Sequence, residues 1–153
     1  MTNPTDRRAA QTGAGLRAAI DQLRALATAA STDRRGPTAQ WFFKETDHRR
    51  GAGYLYSANP TGPGVRLTHG GSSGAHGRGS HPGMHIQHGV YAATMDPTVG
   101  LAIATLLESV LHGAWEAGHE ACASDCTPET CELAAARAVA HLITRKQRGE
   151  QSR

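Results

Sequence analysis

The chain has 153 residues, a net charge of +3, 39% hydrophobic residues and only 5% aromatics. That length suits one domain with a thin, alanine-rich core. The longest apolar run, "VGLAIATLLESVL" (99–111), falls short of the roughly 20 residues of a membrane span and carries Glu108, and the polar N-terminus lacks a secretory apolar stretch, so a cytoplasmic protein with no membrane partner is expected.

Residues 1–12 are polar, lack periodicity and are expected to form a disordered tail. From Leu16 the apolar positions Leu16, Ile20, Leu23 and Leu26 or Ala27 step by three or four, the stripe of an amphipathic helix, and Gly36 and Pro37 end it. Three short β-prone runs follow, "AQWFFKE" (39–45), "GYLYSA" (53–58) and "GVRLT" (64–68), separated by turn-forming segments. They predict a three-stranded antiparallel meander that helices must cover on one face.

Glycine, serine and histidine dominate 69–83, which predicts a flexible loop. After Ser80 and Pro82 a helix is expected to place Met84, Ile86, Val90 and Tyr91 on an apolar side and to stop near Met95. The strongest helix signal comes next. Asp96 is a ready N-cap, Pro97 suits the first turn, and Val99, Ile103, Leu106, Leu107, Val110, Leu111 and Ala114 form a broad stripe. A last helix is predicted from Thr127 as cap and Pro128 as first residue, with a stripe of Cys131, Ala135, Ala138 and Leu142 widened by Val139 and Ile143. The predicted class is α+β: an N-terminal helix, a small three-stranded antiparallel meander and a C-terminal helical pair. One domain would span 13–146, with 147–153 a disordered basic tail.

Two stretches, "LRALATAASTDRRGPTAQW" (23–41) and "YAATMDPTVGLAIATLLESV" (91–110), together resemble the Ead-like family of early phage accessory proteins. In that family a leucine- and alanine-rich helix enters a Pro-Gly-Pro-Trp turn and then strands. An aromatic later precedes an Asn-Pro or Asp-Pro step that opens a leucine-rich helix. Here Trp41 and Phe42 stand at the strand, Tyr91 is the aromatic and Asp96–Pro97 the step, while "GPTAQW" departs from the tight turn. The resemblance covers roughly residues 16–111 and brings no catalytic residues. It implies a phage or prophage setting and an accessory, binding role.

Chemistry is sparse. His119, Cys122, Cys126 and Cys131 place four nitrogen or sulfur ligands within thirteen residues, a set that tetrahedral zinc can use. Zinc sites more often join two ligand pairs from separate segments, and Cys131 is equally explained as a small core residue, so thiols sheltered at an interhelical corner are favoured over zinc. On a helix, His81, His85 and His88 would share one face, but no carboxylate accompanies them before Asp96. "GGSSGAHGRG" matches neither a Walker nor a dinucleotide loop, and nucleophile-elbow and His-Glu-x-x-His motifs are missing. No enzyme is expected.

The leading expectation is a non-enzymatic phage or prophage accessory protein that binds a host or phage protein, with the helix near 97–118 offering a homodimer surface. The alternative is a zinc-stabilised binding module touching nucleic acid through its arginine pairs and basic tail. A minor virion component is the third reading.

Overall fold

The computed structural model describes residues 4–33, 36–49, 51–58, 64–68, 84–118 and 126–150. Its elements run in the order α1 (Pro4–Ala30), β1 (Thr32–Asp33), β2 (Gly36–Pro37), β3 (Trp41–Asp47), β4 (Ala52–Ser57), β5 (Met84–His85), α2 (Ile86–Thr94), α3 (Pro97–Glu116) and α4 (Glu132–Glu150). The class is α+β, with an N-terminal helix, a three-stranded antiparallel sheet and later helices. The first helix, α1, starts at Pro4, and the last, α4, runs to Glu150. The chain gathers into two compact units, one of residues 1–25 and 101–153 and the other of 26–100.

In the helical unit, Leu16, Ala19 and Ile20 of α1 join Ala104 and Leu107 of α3 and Leu133, Ala134, Ala136 and Ala140 of α4 in one buried cluster. The α1 stripe is the predicted one, with Leu23 packed against the cluster. On α3, Ile103, Leu107, Val110, Leu111 and Ala114 also keep their predicted side, but Leu106 is 63% exposed and Ala104 is fully buried. On α4 the buried side is rotated from the prediction. Leu133, Ala136 and Ala140 face inward, while Leu142 and Val139 are exposed. Alanine at the contact lets helix axes approach more closely than a leucine would, so small residues win the inner face.

Helix α4 also starts later than expected. Thr127 does not open it. Its carbonyl accepts the amides of Thr130 and Cys131 at 3.1 and 3.0 Å in a separate turn, and the helix begins at Glu132. The Thr127 hydroxyl holds the Glu129 carboxyl below its ordinary range. On the other side of this junction α3 stops at Glu116, and two residues on Gly118 takes a φ of 65°, the left-handed conformation that glycine adopts without a Cβ penalty.

In the second unit β3 and β4 pair antiparallel, Phe42 opposite Tyr56, Phe43 opposite Leu55 and Lys44 opposite Tyr54, with a bulge between Glu45 and Asp47. The hairpin turns through Gly51 at φ 57°. The third strand is not the expected 64–68. It is Met84–His85, paired with Ala52 and Gly53. Residues 64–68 nevertheless lie along the same edge of β4: Tyr56 bridges Arg66, the Ser57 amide donates to the Val65 carbonyl and the Leu67 amide to the Leu55 carbonyl, both at 2.8 Å. Two short segments thus divide one strand edge between them.

Helix α2 covers the face that carries Phe43. A Cβ on Gly89 would fall 2.0 Å from the Phe43 ring, so only glycine allows the helix this close. The predicted apolar side of α2 is displaced accordingly, and Val90 and Tyr91 are exposed. The predicted Asp96 cap is present. One carboxylate oxygen accepts the Val99 amide at 3.0 Å, and the other lies 3.4 Å from the Trp41 amide at the start of β3. Thr38, buried where β2 leads toward β3, donates its hydroxyl to the Ala30 carbonyl at the end of α1, and its own carbonyl accepts the Trp41 indole N–H.

Gly89→Ala is expected to cost about 1–3 kcal/mol through overpacking against Phe43, read as a lower urea midpoint at unchanged slope. Pairing Gly89→Ala with Phe43→Leu should recover part of that loss.

Arg24 and Glu108 form a two-pronged ion pair between α1 and α3, at 2.6 and 3.3 Å. The guanidinium holds the Glu108 carboxyl below its ordinary range, through hydrogen bonding first and charge second. A carboxyl depressed in the folded state stabilises above its unfolded pKa, and the contribution disappears as pH falls through the folded value. Both side chains are solvent-exposed, so the effect is small and salt-sensitive. Glu108→Gln should therefore lower stability slightly at neutral pH and converge on wild type in acid, as measured by melting curves from pH 7 downward.

Candidate functional site

The four zinc candidates fall at the α3–α4 junction. His119 and Cys122 lie outside the described residues. Cys126 and Cys131 are half-buried and packed against the helical core. Cys126 lines a groove of about 570 Å³ between α1 and α4, and Cys131 a second groove of about 430 Å³ where the end of α3 meets the start of α4. Among the described residues no three His, Cys, Asp or Glu side chains are placed to hold a metal.

The histidine cluster is divided in the same way. His81 lies outside the described residues, as do the glycine-rich segment 69–83 and its "GGSSGAHGRG" motif. His85 and His88 meet edge to face with ring centroids 6.2 Å apart. His85 serves a local purpose as the N-cap of α2, its Nδ1 accepting the Gln87 amide at 3.4 Å. A capping role explains a histidine at this position without a ligand.

The feature missed from sequence is a groove in the helical unit. It has a volume of about 370 Å³ and is walled by Ala9, Gly13, Leu111, Ala114 and Leu133. Trp115, 60% exposed, and Arg17 stand together at it, the guanidinium carbon 5.9 Å from the indole centroid, a cation–π contact. The only sequence signal was a tryptophan one residue beyond the buried α3 stripe. Leu106 and Leu142, each at least 60% exposed, add apolar surface on α3 and α4.

Helix α3 has a further property. Its 20 residues, with mean hydropathy 1.3 in the most apolar stretch, are long and apolar enough to cross a membrane by length and composition. The expectation from residues 99–111 alone was that the run is too short; Asp96–Pro97 and the residues to Glu116 extend it. The helix also carries Glu108 in its pair with Arg24, and His112 lies 3.2 Å from Glu116.

The chain matches no family model, no curated protein and no solved structure.

The packing of Cys126 and Cys131 against the helical core favours a role as small apolar residues for both thiols. Untagged protein is therefore expected to contain far less than one zinc per chain by elemental analysis, and its melting temperature should not change on chelation. Cobalt that develops a tetrahedral thiolate spectrum would show the opposite.

Proposed function

We propose that this chain is a non-catalytic binding protein whose helical unit docks another protein chain, a second copy of itself or a host or phage protein. The single observation behind this reading is the apolar surface left outside an already formed core, namely Leu106, Trp115 and Leu142 at 60% exposure or more. Exposed tryptophan beside a small groove, flanked by arginine, has the composition of an interface anchor. Val139 and Leu142 lie three residues apart on α4 and share a face, which gives that helix a second apolar side.

The resemblance to early phage accessory proteins supplies the proposed setting, the cytoplasm of a bacterial host. The Arg24–Glu108 pair favours α3 as a member of a water-facing bundle over α3 as a span, because a charge at the centre of a bilayer is costly. A zinc-dependent module and a minor virion component are the competing readings; the first is addressed by metal analysis and the second by mass spectrometry of purified particles.

The test uses two surface variants, Trp115→Ala and the pair Leu106→Asp with Leu142→Asp. All three positions are exposed, so stability should change by only about 0.5 kcal/mol. Light scattering across a wide concentration range should show self-association of the wild type that the variants lose, or affinity capture from infected host cells should return a specific partner that the variants release. A strictly monomeric wild type that captures the same proteins as the variants overturns the reading.

A further inference from the structure

The groove beside Trp115 keeps its apolar and its charged chemistry apart. Among the described residues that line it, Ala9, Ala10, Gly13, Leu111, Ala114 and Leu133 carry no polar side chain. Arg17 is its one charge, no acid lines it, and the Trp115 indole N–H is the one other polar side-chain group. Its volume of about 370 Å³ falls within the range of small-molecule pockets, about 300–1,000 Å³.

Arg17 is held at this groove without a carboxylate. A Cβ on Gly13 would meet its guanidinium at 3.5 to 4.0 Å, so the group lies back along α1, and its central carbon stands 5.9 Å from the Trp115 centroid. A cation–π contact supplies charge attraction but no acceptor oxygen for the guanidinium N–H donors. Among the described residues no carboxylate pairs with Arg17, Asp21 one turn further along α1 included. The two acids near the groove on α3 have other partners, Glu116 with His112 and Glu108 with Arg24.

From this arrangement we infer that the groove binds a small apolar monocarboxylate, its hydrocarbon against the alanine and leucine walls and its carboxylate on Arg17. The planar fork of a guanidinium matches a carboxylate with two parallel hydrogen bonds. A neutral hydrocarbon would leave that fork unused. A peptide segment fits less well, because its backbone N–H and C=O groups would be desolvated against walls that offer them almost nothing to bond. The site uses Trp115 but neither Leu106 nor Leu142, and it needs no partner chain. A protein that associates without binding the acid therefore sinks this inference alone, and one that binds the acid without associating sinks the protein-docking reading alone.

Octanoate and n-octanol are the probes, titrated into full-length protein and followed by the two indole N–H signals in proton–nitrogen NMR spectra. Trp115→Ala identifies the Trp115 signal, and Trp41, in the other unit, is the internal control. Octanoate should move the Trp115 signal saturably, with a Kd of about 1 mM or below, and leave that of Trp41 in place. Octanol, which brings no charge to Arg17, should bind about tenfold more weakly. Arg17→Gln should bring the two probes to equal affinity. Ala10→Leu, which fills the groove from an exposed helical position, should weaken both. Circular dichroism and melting curves show that both variants fold. The inference is overturned by an absent or unsaturable shift, by equal movement of both tryptophan signals, or by equal affinity of wild type for the two probes. Octanoate binding undiminished in either folded variant, or tighter binding of the tripeptide Gly-Gly-Leu than of octanoate, overturns it as well.

Discussion

Close approach through small side chains is the constraint on which this structure depends. Among the described residues, Ala19, Ala104, Ala134, Ala136 and Ala140 are buried in the helical unit beside Leu16, Ile20, Leu107 and Leu133. An alanine interior gains little from burial per residue and more from dispersion between backbones brought near one another. The α2–sheet contact repeats the device, with Gly89 receiving the flat of the Phe43 ring. Where small residues take the inner positions, some larger ones are left outside. Leu106, Leu142 and Trp115 are exposed as a result of how the core is made.

This explains which parts of the fold were legible in the sequence. The α1 stripe, the Asp96–Pro97 start of α3 and the β3–β4 hairpin follow from periodicity, capping and turn chemistry, all local properties. The inner side of α4 did not. A stripe through Leu142 maximises hydrophobicity, whereas the actual one runs through Ala136 and Ala140, and a preference for close packing is set by the partner helices. The start of α4 was misplaced because Thr127–Pro128 makes a convincing cap-and-first-turn pair. The same residues also suit an isolated turn, which is the form they take before Glu132. The third strand was hidden for a related reason, since a two-residue strand at Met84–His85 has no periodicity to detect.

The candidate sites were less legible than the fold. Sequence spacing drew attention to cysteine and histidine because those residue types carry chemistry. The structure gives Cys126 and Cys131 packing positions and His85 a capping position. The surfaces with unusual composition come instead from residues distant in sequence: Arg17 with Trp115, and Phe42 with Tyr56 and Arg66. A lone tryptophan or arginine says little in a linear reading. Only folding places aromatic and cation together.

The shared edge of β4 has an architectural consequence. Because 64–68 and Met84–His85 are each pinned to β4 by their own backbone bonds, neither register depends on how many residues separate them. The alignment of the hairpin with its covering helix is thus set on β4 itself, by the backbone bonds that each edge segment makes there.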